Sequence, residues 1–157
     1  MTAPAWDGYL ADPHVLRLPD GGYAAYGSGP PAPSAPQGLR VFRALWSPDL
    51  KTWHDRGFVL DRLPPGAGDE YWAPEVAHTD GAYWMYYSVG HGIAGHGLRV
   101  ARAEDPFGPF TDTGVNLTPG ELFAIDAHPF RDDDGRWYLY YARDVLNHSR
   151  VGTHLAV

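Results

Sequence analysis

The sequence predicts an all-β fold of repeated antiparallel sheets, and three observations carry that prediction. The chain has 157 residues with 19 glycines and 15 prolines, and no stretch keeps apolar residues at the 3.6-residue spacing of an amphipathic helix. Short runs such as Tyr83 to Val89 and Trp137 to Ala142 are rich in aromatic residues and follow an Asp-Gly pair, the mark of a tight hairpin turn that accepts positive φ. The pattern around that pair also recurs three times, from Asp12 to Gly29, from Trp72 to Gly90 and from Asp126 to Asp144.

Aligned on Asp20, Asp80 and Asp134, the residue three positions later is Tyr23, Tyr83 and Trp137, and the residue six later is Tyr26, Tyr86 and Tyr140. Eight positions upstream stand Asp12, Trp72 and Asp126. Residues equivalent by internal repeat take equivalent places in a repeated architecture. Two carboxylates and one indole are therefore expected at one end of a shared cavity, a composition that suits a sugar.

The second half of each unit repeats as well, residues 47–60 matching 101–115, which adds two strands and gives four per unit. Successive Asp-Gly pairs lie 60 and then 54 residues apart, above the roughly 40 to 50 residues of common propeller repeats. Residues 29–38 and 64–69 are expected to absorb the excess as loops. A four-stranded sheet recurring at this interval describes a β-propeller, each sheet burying its faces against the next. The expected blades run over about 8–62, about 69–118 and about 122–157. The third ends inside its third strand, and closure needs at least about four blades. The sequence is thus expected to be an incomplete propeller of two and a half to three blades.

At 44% hydrophobic and 14% aromatic residues, the chain can bury a real core. A net charge of -7 with 12 scattered basic residues argues against nucleic acid or an anionic membrane as a partner, since phosphates demand clustered Lys and Arg. The absence of cysteine removes disulfides and thiolate metal sites from consideration. No run approaches the ~20 apolar residues that span a bilayer. The N-terminal residues lack the basic start and apolar run of a secretory signal, so a cytoplasmic location is expected.

Asp126 lies between Ile125 and Ala127, where a carboxylate is unfavourable unless hydrogen-bonded or functional. Asp12 precedes Pro13, a common turn pair, and its register with Asp126 lifts it above that reading. Trp72 offers an aromatic face for sugar C–H groups. His14 and His128 each follow an aspartate by two residues and so share its strand face; they either bind substrate or satisfy strand ends. Asp20, Asp80 and Asp134 read as turn residues. Asp132, Asp133 and Asp134 lack the alternating ligands and terminal Glu of a calcium loop. His91 and His96 lie in a glycine-rich segment with no third ligand nearby, which predicts a flexible rim loop rather than a metal site. Neither metal nor cofactor is expected.

Asp12-Pro13, Trp72-Ala73-Pro74-Glu75-Val76, Gly108-Pro109-Phe110, and Ile125-Asp126 with Phe130 and Asp132-Asp133-Asp134-Gly135 occur in an order and spacing that resembles glycoside hydrolase family 43. These motifs cover nearly the whole chain. The resemblance implies a five-bladed propeller that hydrolyses arabinofuranosides and xylosides with inversion. It implies that Asp12 is the general base and that Asp126 tunes the acid and orients the sugar. The family's general acid is a glutamate opening the fourth blade, for which this sequence has no counterpart; Glu75 matches a position that is commonly Asp and does not donate the proton. The function so implied is hydrolysis of arabinose- or xylose-containing plant polysaccharides or oligosaccharides by a truncated chain without its acid. The alternatives are a non-catalytic carbohydrate-binding fragment, or a half-propeller that pairs with itself or a complementing chain through exposed blade edges.

Overall fold

A computed structural model describes residues 4–29, 40–92, 95–144 and 153–157. Among them run eleven strands: β1 (Ala11–Arg17), β2 (Tyr23–Ser28), β3 (Arg40–Ser47), β4 (His54–Asp61), β5 (Glu70–Thr79), β6 (Ala82–Gly90), β7 (His96–Ala103), β8 (Thr111–Asn116), β9 (Ala124–Arg131), β10 (Trp137–Asp144) and β11 (Thr153–Ala156). They form three antiparallel sheets in simple meander order, β1-β2-β3-β4, β5-β6-β7-β8 and β9-β10-β11. The all-β architecture of successive blades is the one the sequence predicts. The first strands of the three sheets lie side by side, β1 against β5 and β5 against β9, and so build one inner wall.

Turn chemistry explains the hairpins. Asp80 and Gly81 form a two-residue connection with φ of 51° and 71°, the double left-handed geometry that matches strand twist and that Asp-Gly accepts readily. The first and third hairpins use longer connections, residues 18–22 and 132–136. There Gly21, Gly22 and Gly135 supply the positive φ.

Sheets 1 and 2 meet across the main core, in which Tyr26, Phe42, Val59, Leu60, Met85, Tyr87 and Phe110 are almost completely buried. Each such side chain contributes about 1.5–3 kcal/mol on burial. Polar groups stitch the same junction. Tyr26 Oη donates to the Pro106 carbonyl at 2.7 Å, and the Phe110 amide donates to Val59 O at 2.7 Å. Sheets 2 and 3 meet across a smaller cluster of Leu98, Ala124 and Ala127, with Tyr86, Leu139 and Tyr141 packed around it. The far face of sheet 3 has no such cover among the described residues. Phe130 is 44% exposed and Leu155 78%, and with Asp126, His128, Tyr140, Tyr141 and Ala142 they line an open groove of about 610 Å³.

Candidate active site

Each inner strand carries an irregularity at the same place. The register shifts between Ala11 and His14 opposite β2, between Trp72 and Glu75 opposite β6, and between Ile125 and His128 opposite β10. One extra residue is thereby inserted in the inner strand, which bends it and re-aims side chains. The inserted turn is made by Asp12, Ala73 and Asp126, with φ of 49°, 45° and 57°. Left-handed non-glycine residues are uncommon, and strained backbone of this kind clusters at functional sites. Three occurrences at one level of adjacent strands place Asp12 and Asp126 at corresponding points of the inner wall.

This register corrects one sequence-based expectation. Alignment on the Asp-Gly turns makes Trp72 the counterpart of the two aspartates, whereas strand pairing puts Trp72 opposite Ser88 as Ala11 is opposite Ser28, so Ala73 is the true counterpart. The cause is the second hairpin, which is one residue shorter between bulge and Asp-Gly pair. Trp72 stands directly before the bulge, half-buried, with its ring stacked on His96 at 3.9 Å and Phe123 at 6.5 Å edge-on. His96 itself is buried within β7, so it is not part of the flexible rim loop expected from the glycine spacing. His91 reaches Asp69 at 3.1 Å instead; residues 93–94 of that segment lie outside the described residues.

Two residues deeper along the inner strands, His14, Glu75 and His128 occupy equivalent positions in consecutive sheets. Glu75 faces both histidines. His128 Nδ1 lies 2.8 Å from Glu75 Oε2 and donates to it. His14 Nε2 faces the Val76 carbonyl at 3.1 Å, which can only accept, so Nε2 carries the proton. Its Nδ1 then stands 3.6 Å from the same Glu75 oxygen, too far for a hydrogen bond. Burial pushes His14 below the usual imidazole range, against the raising influence of Glu75 and the Val76 carbonyl. Both predicted histidines are therefore held by protein groups, His14 by the Val76 carbonyl and His128 by Glu75.

Asp126 keeps a solvent-exposed flank, yet protein packed around its carboxyl raises it above the usual carboxylate range, and the charges of Asp12 and Glu75 raise it further. Asp126 thus lies within electrostatic reach of Asp12 and Glu75. Asp12 differs in its partner: Ser28 Oγ donates to Asp12 Oδ2 at 3.1 Å and accepts from the Ala73 amide at 2.8 Å. Sequence reasoning passed over Ser28, although Ser28 and Ser88 each follow the repeat tyrosine, Tyr26 and Tyr86, by two residues. Among the described residues, no three His, Asp or Glu side chains converge in an arrangement that could hold a metal ion.

The arrangement sets the Asp12 carboxylate on sheet 1, the Asp126 carboxylate on sheet 3 and the Trp72 indole on sheet 2 at about the same level of the inner wall. Known proteins resemble the chain over most of its length. A β-D-galactofuranosidase, xynD, of Aspergillus niger is 35% identical over 154 residues, covering 88% of this chain and 44% of that protein. The solved endo-arabinase of Bacteroides thetaiotaomicron superposes with a TM-score of 0.72 at 25% identity, over 92% of this chain and 49% of that one. A GH43_1 enzyme of Xanthomonas citri complexed with xylose gives 0.73 at 27% identity, over 94% and 45%. The chain spans less than half the length of the curated relative and about half of each solved structure. The model of glycosyl hydrolases family 43 matches residues 1–154, and the chain, with its two aspartates on strained inner-strand bulges, belongs to that family.

Proposed function

We propose that this chain carries the base-bearing part of an inverting glycoside hydrolase for arabinose- or xylose-containing plant polysaccharides or oligosaccharides. The observation that supports it most is the pairing of Asp12 and Asp126 in one bulge geometry on neighbouring parts of the inner wall, within reach of each other's charge. In this reading Asp12 takes a proton from water, the water oxygen bonds to the anomeric carbon, and the glycosidic C–O bond breaks as an acid protonates the leaving oxygen. Asp126 orients the sugar and raises the pKa of that acid by placing a negative charge beside it. The acid is a carboxyl supplied from outside this chain, at the roughly 6.5–9.5 Å separation that leaves room for the water. Trp72 packs one ring face against the sugar while His96 holds the other.

The name of the Aspergillus niger relative adds a β-D-galactofuranoside to the substrates worth assaying, as another five-membered ring. The apolar groove on sheet 3 favours a second element of the proposal: a complementing β-sheet, from another chain or a second copy, covers Phe130, Tyr140 and Leu155. The test mixes the chain with a polypeptide bearing the remaining blades and follows 4-nitrophenyl α-L-arabinofuranoside, β-D-xyloside and β-D-galactofuranoside. Turnover that appears only in the 1:1 complex, yields the inverted anomer first and falls about 10²–10⁴-fold in Asp12→Ala is the expected result. A verified complex with no turnover, or turnover indifferent to Asp12→Ala, would sink the assignment.

A further inference from the structure

The inner-strand bulge creates a problem in its own backbone. Its extra residue disrupts the ladder, and a buried amide must find another acceptor. At the junction of sheets 1 and 2 the Ala73 amide finds Ser28 Oγ at 2.8 Å. A hydroxyl accepts and donates at once, and Ser28, only 6% exposed, hands its own proton to Asp12 Oδ2 at 3.1 Å. The chain Ala73 N–H, Ser28 O–H, Asp12 carboxylate therefore runs from sheet 2 back into sheet 1.

The repeat supplies internal controls. Ser88 occupies the same place in sheet 2, opposite Trp72 as Ser28 is opposite Ala11, but the bulge residue beside it is Ala73, which offers no carboxylate. Its hydroxyl is buried and has no hydrogen-bond partner among the described residues. In sheet 3 the relation inverts: the bulge residue is Asp126 and the position opposite Ile125 is Ala142, which has no hydroxyl to give. At these two positions, among the described residues, only sheet 1 combines serine and aspartate. Two carboxylates with the same backbone conformation thus have different anchorage.

We propose that Ser28 is the positioning residue of Asp12: its hydroxyl, itself fixed by the backbone of the neighbouring sheet, locks the carboxylate so that Oδ2 is engaged and Oδ1 is presented to water. The proposal rests on the reading of Asp12 as base. It also accounts for the division of labour within the site, because the serine is present where a fixed orientation is needed and absent beside the carboxylate whose charge, rather than direction, matters.

The test reads the Asp12 side-chain rotamer from three-bond NMR couplings in the isolated 157-residue chain, without substrate. Wild type and Ser28→Thr, which keeps the hydroxyl, are expected to show one rotamer. Ser28→Ala is expected to average it, and Ser88→Ala to leave it alone. Ala142→Ser is expected to narrow the rotamer distribution of Asp126. Should Ser28→Ala fail to fold, Ser28→Cys replaces it, with a thiol that is a weak donor. A single, unchanged Asp12 rotamer in a folded Ser28→Ala or Ser28→Cys overturns the proposal, as does equal averaging in Ser88→Ala. In the complemented enzyme, Ser28→Ala is expected to lower kcat about 10–100-fold with KM unchanged and Ser28→Thr to restore it. Turnover that survives Asp12→Ala would defeat the base assignment while leaving the rotamer result standing, so the two failures are distinguishable.

Discussion

The junction of sheets 1 and 2 and the far face of sheet 3 are built from corresponding residues and meet different fates. At the junction, Tyr26 is fully buried with its hydroxyl on the Pro106 carbonyl, and His14 donates to Val76 in the next sheet. The counterparts on sheet 3 are Tyr140 and His128; His128 is 56% exposed, and Phe130, counterpart of the partly buried Leu16, is 44% exposed. The side chains are of the same kind, so the difference lies in the neighbour. A blade face in this repeat is made to be covered by the next inner strand, and sheet 3 presents that face with its aspartate and histidine at the rim.

The largest effect that would break this comparison is a pair of truncations. Phe110→Ala, in the covered junction, is expected to lose about 3–5 kcal/mol of stability, whereas Phe130→Ala on the open face is expected to stay within about 1 kcal/mol. Urea unfolding of both variants decides it. Equal losses would mean that the far face is covered in solution, and a concentration-dependent midpoint would point to a second copy.

Next in size is the effect of Asp126 itself. Burial and the charges of Asp12 and Glu75 raise its pKa in the folded state, so its contribution is most favourable below the unfolded carboxylate range and is lost as pH rises through the folded value. Asp126→Asn is therefore expected to raise Tm at pH 7 by on the order of a few °C, with the gain shrinking on acidification. Calorimetry against pH checks this, and a loss of Tm at pH 7 would contradict it.

His14 and His96 act in the opposite direction. Burial lowers both below the ordinary imidazole range, so they favour the fold above the unfolded value of about 6.5 and withdraw that support as pH falls through the folded values. Stability is expected to decline between pH 7 and pH 5, less steeply in His14→Gln. The smallest expected effect is at the exposed Arg40–Asp61 pair, 2.8 Å apart at the edge of sheet 1: Arg40→Ala should change stability by no more than about 1 kcal/mol and less at high salt.

Much of the fold was legible because each hairpin announces itself by an Asp-Gly pair followed by aromatic residues, and the first and third repeats keep the same spacing from bulge to turn. The matching bulge positions of Asp12 and Asp126 were legible for the same reason. Trp72 was placed one residue out of register because a two-residue turn and a five-residue connection carry the same Asp-Gly mark, and only strand pairing tells them apart. Ser28 was hidden by its ordinariness: a serine at a strand end acquires meaning only from the amide and carboxylate that a bulge brings to it. Glu75 was visible as a residue but not as the acceptor for His128, since that hydrogen bond joins two sheets.

The central claim, that Asp12 and Asp126 face one site, is tested most directly by following the Asp126 carboxyl by ¹³C NMR through a pH titration in wild type and Asp12→Asn. Removal of the Asp12 charge is expected to bring the raised Asp126 midpoint down toward the ordinary carboxylate range, with Glu75→Gln lowering it less. An Asp126 midpoint that does not move in a folded Asp12→Asn protein would mean that the two aspartates do not share a site.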